Sequence, residues 1–386
     1  MIGTPKSERL HIVLLGECNS GKSSLLNAVA GQRVAIVSDV AGTTTDAVTK
    51  AMEIIGLGPC VFIDTAGMDD CGELGTKRVG NTKDAVRTAD IVLVVVDAAT
   101  GRIPDLPRLD VPVVPVVNKK EMLDRDALDA LLAGVKKKYG KAPVAVSALL
   151  GDGVKDVVSA IQENIPEDWD APLLTAGIVE DGGLVVLVMP QDREAPKGRL
   201  ILPQQQTIRE LLDRKCRIVC CTPDALARTL SDLNENPSAI IADSQALRAV
   251  APLKPEGTLL TSFSILLAAS KGDIGYFKES VRRIDSLTSA SRVLIAEACT
   301  HVPASEDIGR VKIPKLLRSR AGEGLQVDVV SGRDFPEDLG GYDLVIHCGA
   351  CMFNCRYVLA RVQQARRQGV PMTNYGIAIA YINNLL

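Results

Sequence analysis

The strongest constraint on the fold comes from residues 11–30, where an apolar run leads directly into a glycine-rich loop. His11 to Leu15 predict a strand, and Gly16 to Ser23 fit the pattern G-x-x-x-x-G-K-S. A helix is predicted from Ser24 to Ala30. Strand, loop and helix in this order indicate a phosphate-binding loop, because the loop N–H groups and the helix dipole both favour anions.

The residues of this loop have distinct expected roles. The ammonium of Lys22 should reach the β- and γ-phosphates, and the hydroxyl of Ser23 should bind Mg²⁺. The other loop residues expected to contact the nucleotide are Gly16, Asn19, Ser20, Gly21 and Ser24.

Further apolar runs predict the rest of a nucleotide-binding sheet. Val61 to Asp64 form a strand that ends in a carboxylate, and Gly67 follows it. Asp64 is therefore expected to help hold Mg²⁺, and Gly67 to sense the γ-phosphate. Buried strands are also predicted at 91–97, 113–117 and 144–146, which indicates a doubly wound α/β sheet with its ligand at the strands' C-terminal ends.

The order of these motifs resembles the translation-factor class of small GTPases. In that class an N-K-x-D element binds guanine through its Asp. Here the element reads Asn118-Lys119-Lys120-Glu121, so a longer carboxylate replaces the Asp, while Asp124 is out of register. The residues expected around the base are Asn118, Lys119, Glu121, Ser147, Ala148 and Leu149.

Two details resemble the tRNA-modification GTPases in particular. Asn19 lies inside the loop, and Gly42 to Asp46 read GTTTD. The resemblance implies that Asn19 helps bind K⁺ beside the phosphates and that Thr44 is the switch threonine on Mg²⁺. Met68 stands where a water-positioning Gln occurs in Ras-like proteins, so the chain is expected to be a slow GTPase acting as a switch.

Composition excludes several classes of protein. The formal net charge of −3 argues against a nucleic-acid partner. No apolar run approaches the roughly 20 residues that a membrane-spanning helix needs, and the N-terminus lacks the layout of a signal peptide. Ten cysteines in such a chain are expected to be reduced rather than paired, so a cytoplasmic protein is predicted.

Beyond the first domain, two more α/β modules are predicted, at residues 171–252 and 253–386. The middle module shows no catalytic constellation. The last contains Cys299-Thr-His301 and His347-Cys348-Gly-Ala-Cys351, each at the end of an apolar run. Since both groups should leave the C-terminal ends of parallel strands, they are expected to form one paired site.

This set of side chains predicts a metal site. The three thiolates of Cys299, Cys348 and Cys351 suit a [4Fe–4S] cluster with one differently ligated iron. His301 and His347 are candidates for the fourth ligand, or for hydrogen bonds to sulfur. A structural zinc site is the alternative. Cys355 falls in the following helix, which favours a structural role.

The GTPase motifs and this Cys/His pattern together resemble the HydF family, the GTPases among the maturation proteins of [FeFe]-hydrogenase. The resemblance implies a GTPase domain over 1–170, a dimerisation domain over 171–252 and a cluster domain over 253–386. It implies a homodimeric scaffold that carries a [4Fe–4S] cluster and a diiron precursor with CO and CN⁻ ligands. Two radical-SAM maturases would load this scaffold, and apo-hydrogenase would receive the precursor.

In this interpretation GTP hydrolysis regulates partner interactions. The alternative from the first domain alone is a zinc-containing GTPase that acts in tRNA modification, which leaves the cluster of Cys and His residues without a role. The sequence leaves open the fourth cluster ligand, the attachment of the diiron unit and the coupling of nucleotide state to the last domain.

Overall fold

The computed structural model of the chain describes residues 5–31, 34–39, 48–65, 82, 85–106, 109–166, 169, 173–190, 200–298, 307–332 and 334–385. Two units are distinguished, Met1–Asp170 and Ala171–Leu386. In the described residues, no helix combines the length and apolar character needed to cross a membrane.

The first unit contains a seven-stranded sheet with helices on its faces. Its strands are β1 (Leu10–Gly16), β2 (Val34–Asp39), β3 (Val48–Ile54), β4 (Gly58–Asp64), β5 (Ile91–Asp97), β6 (Val113–Asn118) and β7 (Val144–Val146). The helices whose bounds are described are α1 (Lys22–Gly31), α2 (Arg125–Tyr139) and α3 (Val154–Glu163). The strand order is β2-β3-β4-β1-β5-β6-β7, with β2 and β3 antiparallel and β4, β1, β5, β6 and β7 mutually parallel.

The core of this unit follows from the alternation of side chains along β1. Ile12 and Leu14 pack with Leu25 of α1 on one face, while Val13 and Leu15 pack on the other. The neighbouring strand β5 is buried along its whole length. Parallel strands buried on both faces, as in the β4-β1-β5-β6-β7 part of this sheet, are typical of the doubly wound fold, so the predicted fold class is confirmed.

The second unit contains two four-stranded parallel sheets. The strands are β8 (Leu184–Val188), β9 (Arg217–Cys221), β10 (Ala239–Ala242), β11 (Leu259–Ser262), β12 (Arg292–Glu297), β13 (Gln326–Ser331), β14 (Leu344–His347) and β15 (Met372–Asn374). The sheet orders are β11-β10-β8-β9 and β13-β12-β14-β15. The helices are α4 (Leu202–Asp213), α5 (Leu226–Ser231), α6 (Leu247–Val250), α7 (Phe263–Lys271), α8 (Ile274–Ser280), α9 (Ile313–Ala321), α10 (Cys355–Arg367) and α11 (Tyr375–Ile382).

The boundary between the two sheets differs from the sequence expectation. β11 pairs with β10, so the predicted division after residue 252 falls inside one sheet; the three-domain division itself stays a prediction. The segment from Phe263 to Ser280 forms two helices and not one. α7 ends before Gly272, where a Cβ would lie 2.5 Å from the Phe277 ring. Asp273 then caps α8 by accepting from the Tyr276 N–H at 2.8 Å.

Candidate functional site

The phosphate-binding loop is held close to the sheet by two glycines. A Cβ at Gly16 would lie 2.4 Å from the Val95 carbonyl oxygen, and one at Gly21 would lie 2.2 Å from Asn118 Nδ2. Gly21 also has a φ of +87°, a backbone conformation that residues other than glycine disfavour. The Lys22 ammonium donates to the carbonyls of Gly16 at 3.0 Å and Glu17 at 2.8 Å. In this structure the Lys22 ammonium therefore binds carbonyl groups of the loop itself.

A pair of oxygen donors lies beside this loop, at the end of β4. The Ser23 hydroxyl donates to Asp64 Oδ2. The other carboxylate oxygen, Asp64 Oδ1, is buried and has no hydrogen-bond partner among the described residues. Hydroxyl and carboxylate oxygens are ligands that Mg²⁺ prefers, and a bound cation would satisfy the orphaned oxygen. Ser23 and Asp64 thus fit the ion; Thr44 and Gly67 lie outside the described residues.

Asn118 connects the phosphate-binding loop to the loop after β7. Its side chain is only 1% exposed. Its Nδ2 donates to the carbonyl of Ser20 at 3.1 Å, and its Oδ1 accepts from the N–H of Ala148 at 3.0 Å. The buried Ser147 hydroxyl accepts in turn from the N–H of Leu150 at 3.1 Å. The amide of Asn118 therefore holds the predicted base loop in place.

Lys119 makes a second connection. It adopts a left-handed backbone with a φ of +62°, and its ammonium bonds Asp97 Oδ2 at 2.6 Å and the Asn19 carbonyl at 2.8 Å. Asp97, at the end of β5, received no role from the sequence. Glu121 is exposed. Asp124 caps α2 by accepting from the Ala127 N–H at 2.9 Å, a structural use that accounts for this carboxylate.

The cysteine-rich segment leaves the end of β14. Cys348 Sγ accepts hydrogen bonds from the backbone N–H of Ala298 at 3.0 Å and of Ala350 at 3.4 Å. Ala350 has a φ of +47°, so the chain turns tightly here. Two N–H groups directed at one sulfur favour its thiolate form. Cys299 and His301 lie outside the described residues, but residue 298, which precedes Cys299, contacts Cys348.

His347 is directed into the protein. It is 1% exposed, its Nδ1 lies 2.6 Å from the Cys348 carbonyl oxygen, and its Nε2 lies 2.9 Å from Arg361 Nη1. Arg361 can only donate, so Nε2 accepts and the ring proton resides on Nδ1. Burial, followed by the charge of Arg361, lowers the His347 pKa to about 3. A metal-ligand role for His347 stays a prediction and would require release of Arg361.

Arg361 is itself buried and fixed in position. Its guanidinium lies 4.6 Å from the ring centroid of Phe335 and 4.3 Å from that of Tyr357. It also donates to the Gly332 carbonyl at 2.6 Å. Stacking and hydrogen bonding together hold its planar group. The orientation of His347 therefore depends on α10 as well as on β14.

A buried lysine stabilises the loop between Cys348 and Cys355. Lys271, the last residue of α7, is 5% exposed. Its ammonium donates to the carbonyls of Ala350 at 3.1 Å, Cys351 at 3.3 Å and Phe353 at 2.8 Å. The carbonyl of Lys271 accepts from the Cys355 thiol at 3.3 Å. The only indication of this role in the sequence is that Lys271 is a single charged residue at the C-terminal end of an otherwise uncharged helix.

Tyr375 directly follows the C-terminal end of β15, the strand that pairs with β14. Its hydroxyl is buried and has no hydrogen-bond partner in the described part of the chain. Burial, then the charges of Cys348 and Glu297, raise the Tyr375 pKa well above its ordinary value. The sequence analysis did not single out this residue, although it directly follows a strand end.

The metal site predicted from sequence is only partly described. Cys348 and Cys351 lie in one loop at the C-terminal end of β14. No group of three or more His, Cys, Asp or Glu side chains arranged to hold a metal occurs among the described residues. Because Cys299 and His301 are outside those residues, the complete set stays a prediction. The thiolate-stabilising contacts of Cys348 fit an iron–sulfur ligand.

Family models match three segments of the chain. The hydrogen maturase F dimerization domain matches residues 174–272, and the hydrogen maturase F tetramerization domain matches residues 275–386. Together they span more than half of the sequence. The chain belongs to the hydrogen maturase F family. A third model, described as a 50S ribosome-binding GTPase, matches residues 11–124.

Family membership confirms two predictions and adds one feature. The resemblance to the HydF family and the presence of a GTPase are both confirmed. The chain carries oligomerization domains, as the predicted homodimer requires. The model that matches the last domain is named for tetramerization, a role that the sequence analysis did not assign to it.

Two tRNA modification GTPases are similar to part of the chain. The tRNA modification GTPase MnmE of Chromobacterium violaceum is 37% identical over 154 residues, which are 40% of this chain and 34% of that protein. MnmE of Moorella thermoacetica is 38% identical over 165 residues, 41% of this chain and 35% of that protein. The chain thus spans about a third of the length of these relatives.

Two solved structures resemble part of the chain. A variant of Aquifex aeolicus Era bound to GDP·AlF₄⁻ is 21% identical and covers 62% of this chain and 97% of its own, with a TM-score of 0.35. The G domain of the T. maritima FeoB iron transporter is 21% identical and covers 41% of this chain and 99% of its own, with a TM-score of 0.30.

Proposed function

We propose that this protein is an [FeFe]-hydrogenase maturation scaffold that binds a [4Fe–4S] cluster through Cys299, Cys348 and Cys351. It carries a diiron precursor with CO and CN⁻ ligands and delivers it to apo-hydrogenase. Radical-SAM maturases load the precursor, and GTP binding and hydrolysis regulate these partner interactions. Membership of the hydrogen maturase F family supports this role, whereas similarity to tRNA modification GTPases is limited to about 40% of the chain.

The observation that carries the proposal is the contact between two neighbouring strand ends. β12 and β14 are parallel neighbours in one sheet. The N–H of Ala298, just after β12, donates to the sulfur of Cys348, just after β14. The segment that continues to Cys299 therefore starts at the Cys348 sulfur. The strand that precedes Cys299 and the strand that precedes Cys348 thus end at the same edge of the sheet, where open α/β sheets bind ligands.

The loop chemistry suits a cluster that exchanges a ligand. Backbone N–H groups donate to the Cys348 sulfur, an arrangement that suits a thiolate ligand, and the Lys271 ammonium fixes the carbonyls around Cys351. A cluster held by three thiolates would supply one iron with an exchangeable position. His347 would take that position only if Arg361, which donates to its Nε2, were released; His301 is the other predicted candidate.

Anaerobic reconstitution with iron and sulfide tests the scaffold proposal. We expect about four irons per chain, the number in one [4Fe–4S] cluster, and an EPR signal of a reduced cubane cluster after dithionite treatment. Stoichiometric zinc in place of iron, with no cubane signal, would instead identify a closed structural site. That result would favour the alternative function, a zinc-containing GTPase that acts in tRNA modification.

The GTPase site supports a regulatory role with two cations. Ser23 and Asp64 would hold Mg²⁺, with Thr44 as a further predicted ligand. Asn19 lies at the tip of the phosphate-binding loop with a φ of +60°, where its side chain would help bind K⁺. A monovalent cation there would neutralise charge that develops between the phosphates.

GTP hydrolysis should be faster in K⁺ than in Na⁺ at equal ionic strength. The Asn19→Gly variant should lose this preference, because glycine tolerates the left-handed backbone while removing the side-chain oxygen. Phosphate release measured in KCl and NaCl gives the comparison. Equal rates in the two salts for the unmodified protein would remove the potassium assignment.

A further inference from the structure

Tyr375 is the first residue of α11 and follows β15 directly. Asn374, its neighbour in sequence, pairs in register with His347, which precedes Cys348. The three adjacent strands β12, β14 and β15 therefore end in Glu297, His347 and Asn374. Tyr375 thus begins at the same sheet edge as the cysteine site, one strand away from Cys348.

The hydroxyl of Tyr375 is unusual in its surroundings. The residue is 9% exposed, and its hydroxyl has no hydrogen-bond partner in the residues that the structure describes. Buried polar groups almost always have a partner, because removing them from water without one is unfavourable. By contrast, the hydroxyl of Tyr276 in α8 donates to the Val370 carbonyl at 2.8 Å.

The space around this hydroxyl is kept open by a glycine. A Cβ at Gly309 would lie 2.1 Å from the Tyr375 hydroxyl oxygen and 2.8 Å from Glu297 Oε1. Any larger residue would displace the tyrosine. Glu297 uses its other oxygen, Oε2, to bond Arg310 at 3.1 Å and Ser331 at 3.0 Å. Glu297 is thus fixed by other groups while the tyrosine proton has no acceptor among the described residues.

Cys348 directly follows β14, and Tyr375 directly follows the neighbouring parallel strand β15, so the two residues begin at adjacent strand ends. Sulfide and thiolate sulfurs are acceptors that an iron–sulfur cluster would bring to this edge. Hydrogen bonds to such sulfurs are one of the means by which a protein sets the cluster's reduction potential.

We propose that Tyr375 is a positioning residue whose hydroxyl donates a hydrogen bond to a sulfur of the iron–sulfur cluster held beside Cys348. The inference rests on the proposed scaffold function. In the absence of a cluster, the Tyr375 hydroxyl has no hydrogen-bond partner among the described residues, so it is available to donate to a cluster sulfur. The bond would stabilise the reduced, more negative state of the cluster relative to the oxidised state.

The test compares Tyr375→Phe with the unmodified protein and with the control Tyr276→Phe. In the full-length apo-protein, Tyr375→Phe should leave the Tm unchanged or raise it, because it removes an unpartnered buried hydroxyl. Tyr276→Phe should lower the Tm, because it removes a formed hydrogen bond. After reconstitution, an EPR-monitored redox titration should show a more negative potential for Tyr375→Phe alone.

The other outcomes are equally informative. An unchanged potential and EPR signal in reconstituted Tyr375→Phe would overturn the hydrogen bond to the cluster. A lowered Tm in the apo-protein with an unchanged potential would show that the hydroxyl has a structural partner instead. If the unmodified protein takes up no cluster, both this inference and the scaffold proposal fail, whereas a cluster with an insensitive potential removes this inference only.

Discussion

Replacing Cys348 with serine should reduce iron uptake to background while leaving GTP hydrolysis unchanged. The thiolate is the ligand that iron–sulfur clusters require, and a serine hydroxyl stays protonated at neutral pH. The two N–H groups of Ala298 and Ala350 that stabilise this sulfur cannot supply the missing ligand. Iron and sulfide analysis after anaerobic reconstitution, together with a phosphate-release assay, measures both effects.

The matched control for this substitution is Cys355→Ser. The Cys355 thiol donates to the Lys271 carbonyl at 3.3 Å, and a serine hydroxyl at the first position of α10 can make the same bond. We therefore expect Cys355→Ser to keep its cluster. Full iron content in Cys348→Ser, or its loss in Cys355→Ser alone, would mean that the cluster ligands have been wrongly assigned.

The second large effect is expected at the other end of the chain. Lys22→Ala should slow GTP hydrolysis by about 100-fold or more, the usual result of removing a donor that stabilises transition-state charge. The same change removes the contacts to the carbonyls of Gly16 and Glu17 that close the loop, so nucleotide affinity should fall too. Single-turnover hydrolysis and binding of a labelled nucleotide separate these two losses.

Lys141→Ala serves as the control, because Lys141 is exposed and bonds only a side chain of the same unit among the described contacts, Asn164. It should hydrolyse GTP at the normal rate. Iron content should be normal in both variants, since Cys299, Cys348 and Cys351 belong to the second unit. A Lys22→Ala protein that retains most of its activity would be incompatible with the assigned phosphate-binding loop.

Local patterns were sufficient to predict much of the fold. β1, β5 and β14 are apolar runs that become fully or almost fully buried strands, and the loop after β1 is recognisable from its own residues. Family resemblance then supplied the order of domains. The predictions that held are those in which the residues responsible lie close together in sequence.

The remaining features depend on contacts between distant residues. Nothing near His347 reveals that Arg361 binds its Nε2, and periodicity alone does not show that Gly272 interrupts a helix. Strand pairing also decides that β11 completes the second sheet. Lys271 binds the cysteine segment across a gap of 79 residues. Such roles become visible only in three dimensions.

Lys271 has a practical consequence for dividing the chain. The two hydrogen maturase F matches end and begin at residues 272 and 275, which makes this junction an obvious place to cut. A C-terminal fragment cut there would contain Cys299, Cys348 and Cys351 but not the ammonium that binds three carbonyls of the cysteine loop. Truncation tolerance depends on such buried hydrogen bonds, so a fragment meant to isolate the cluster chemistry should begin before α7.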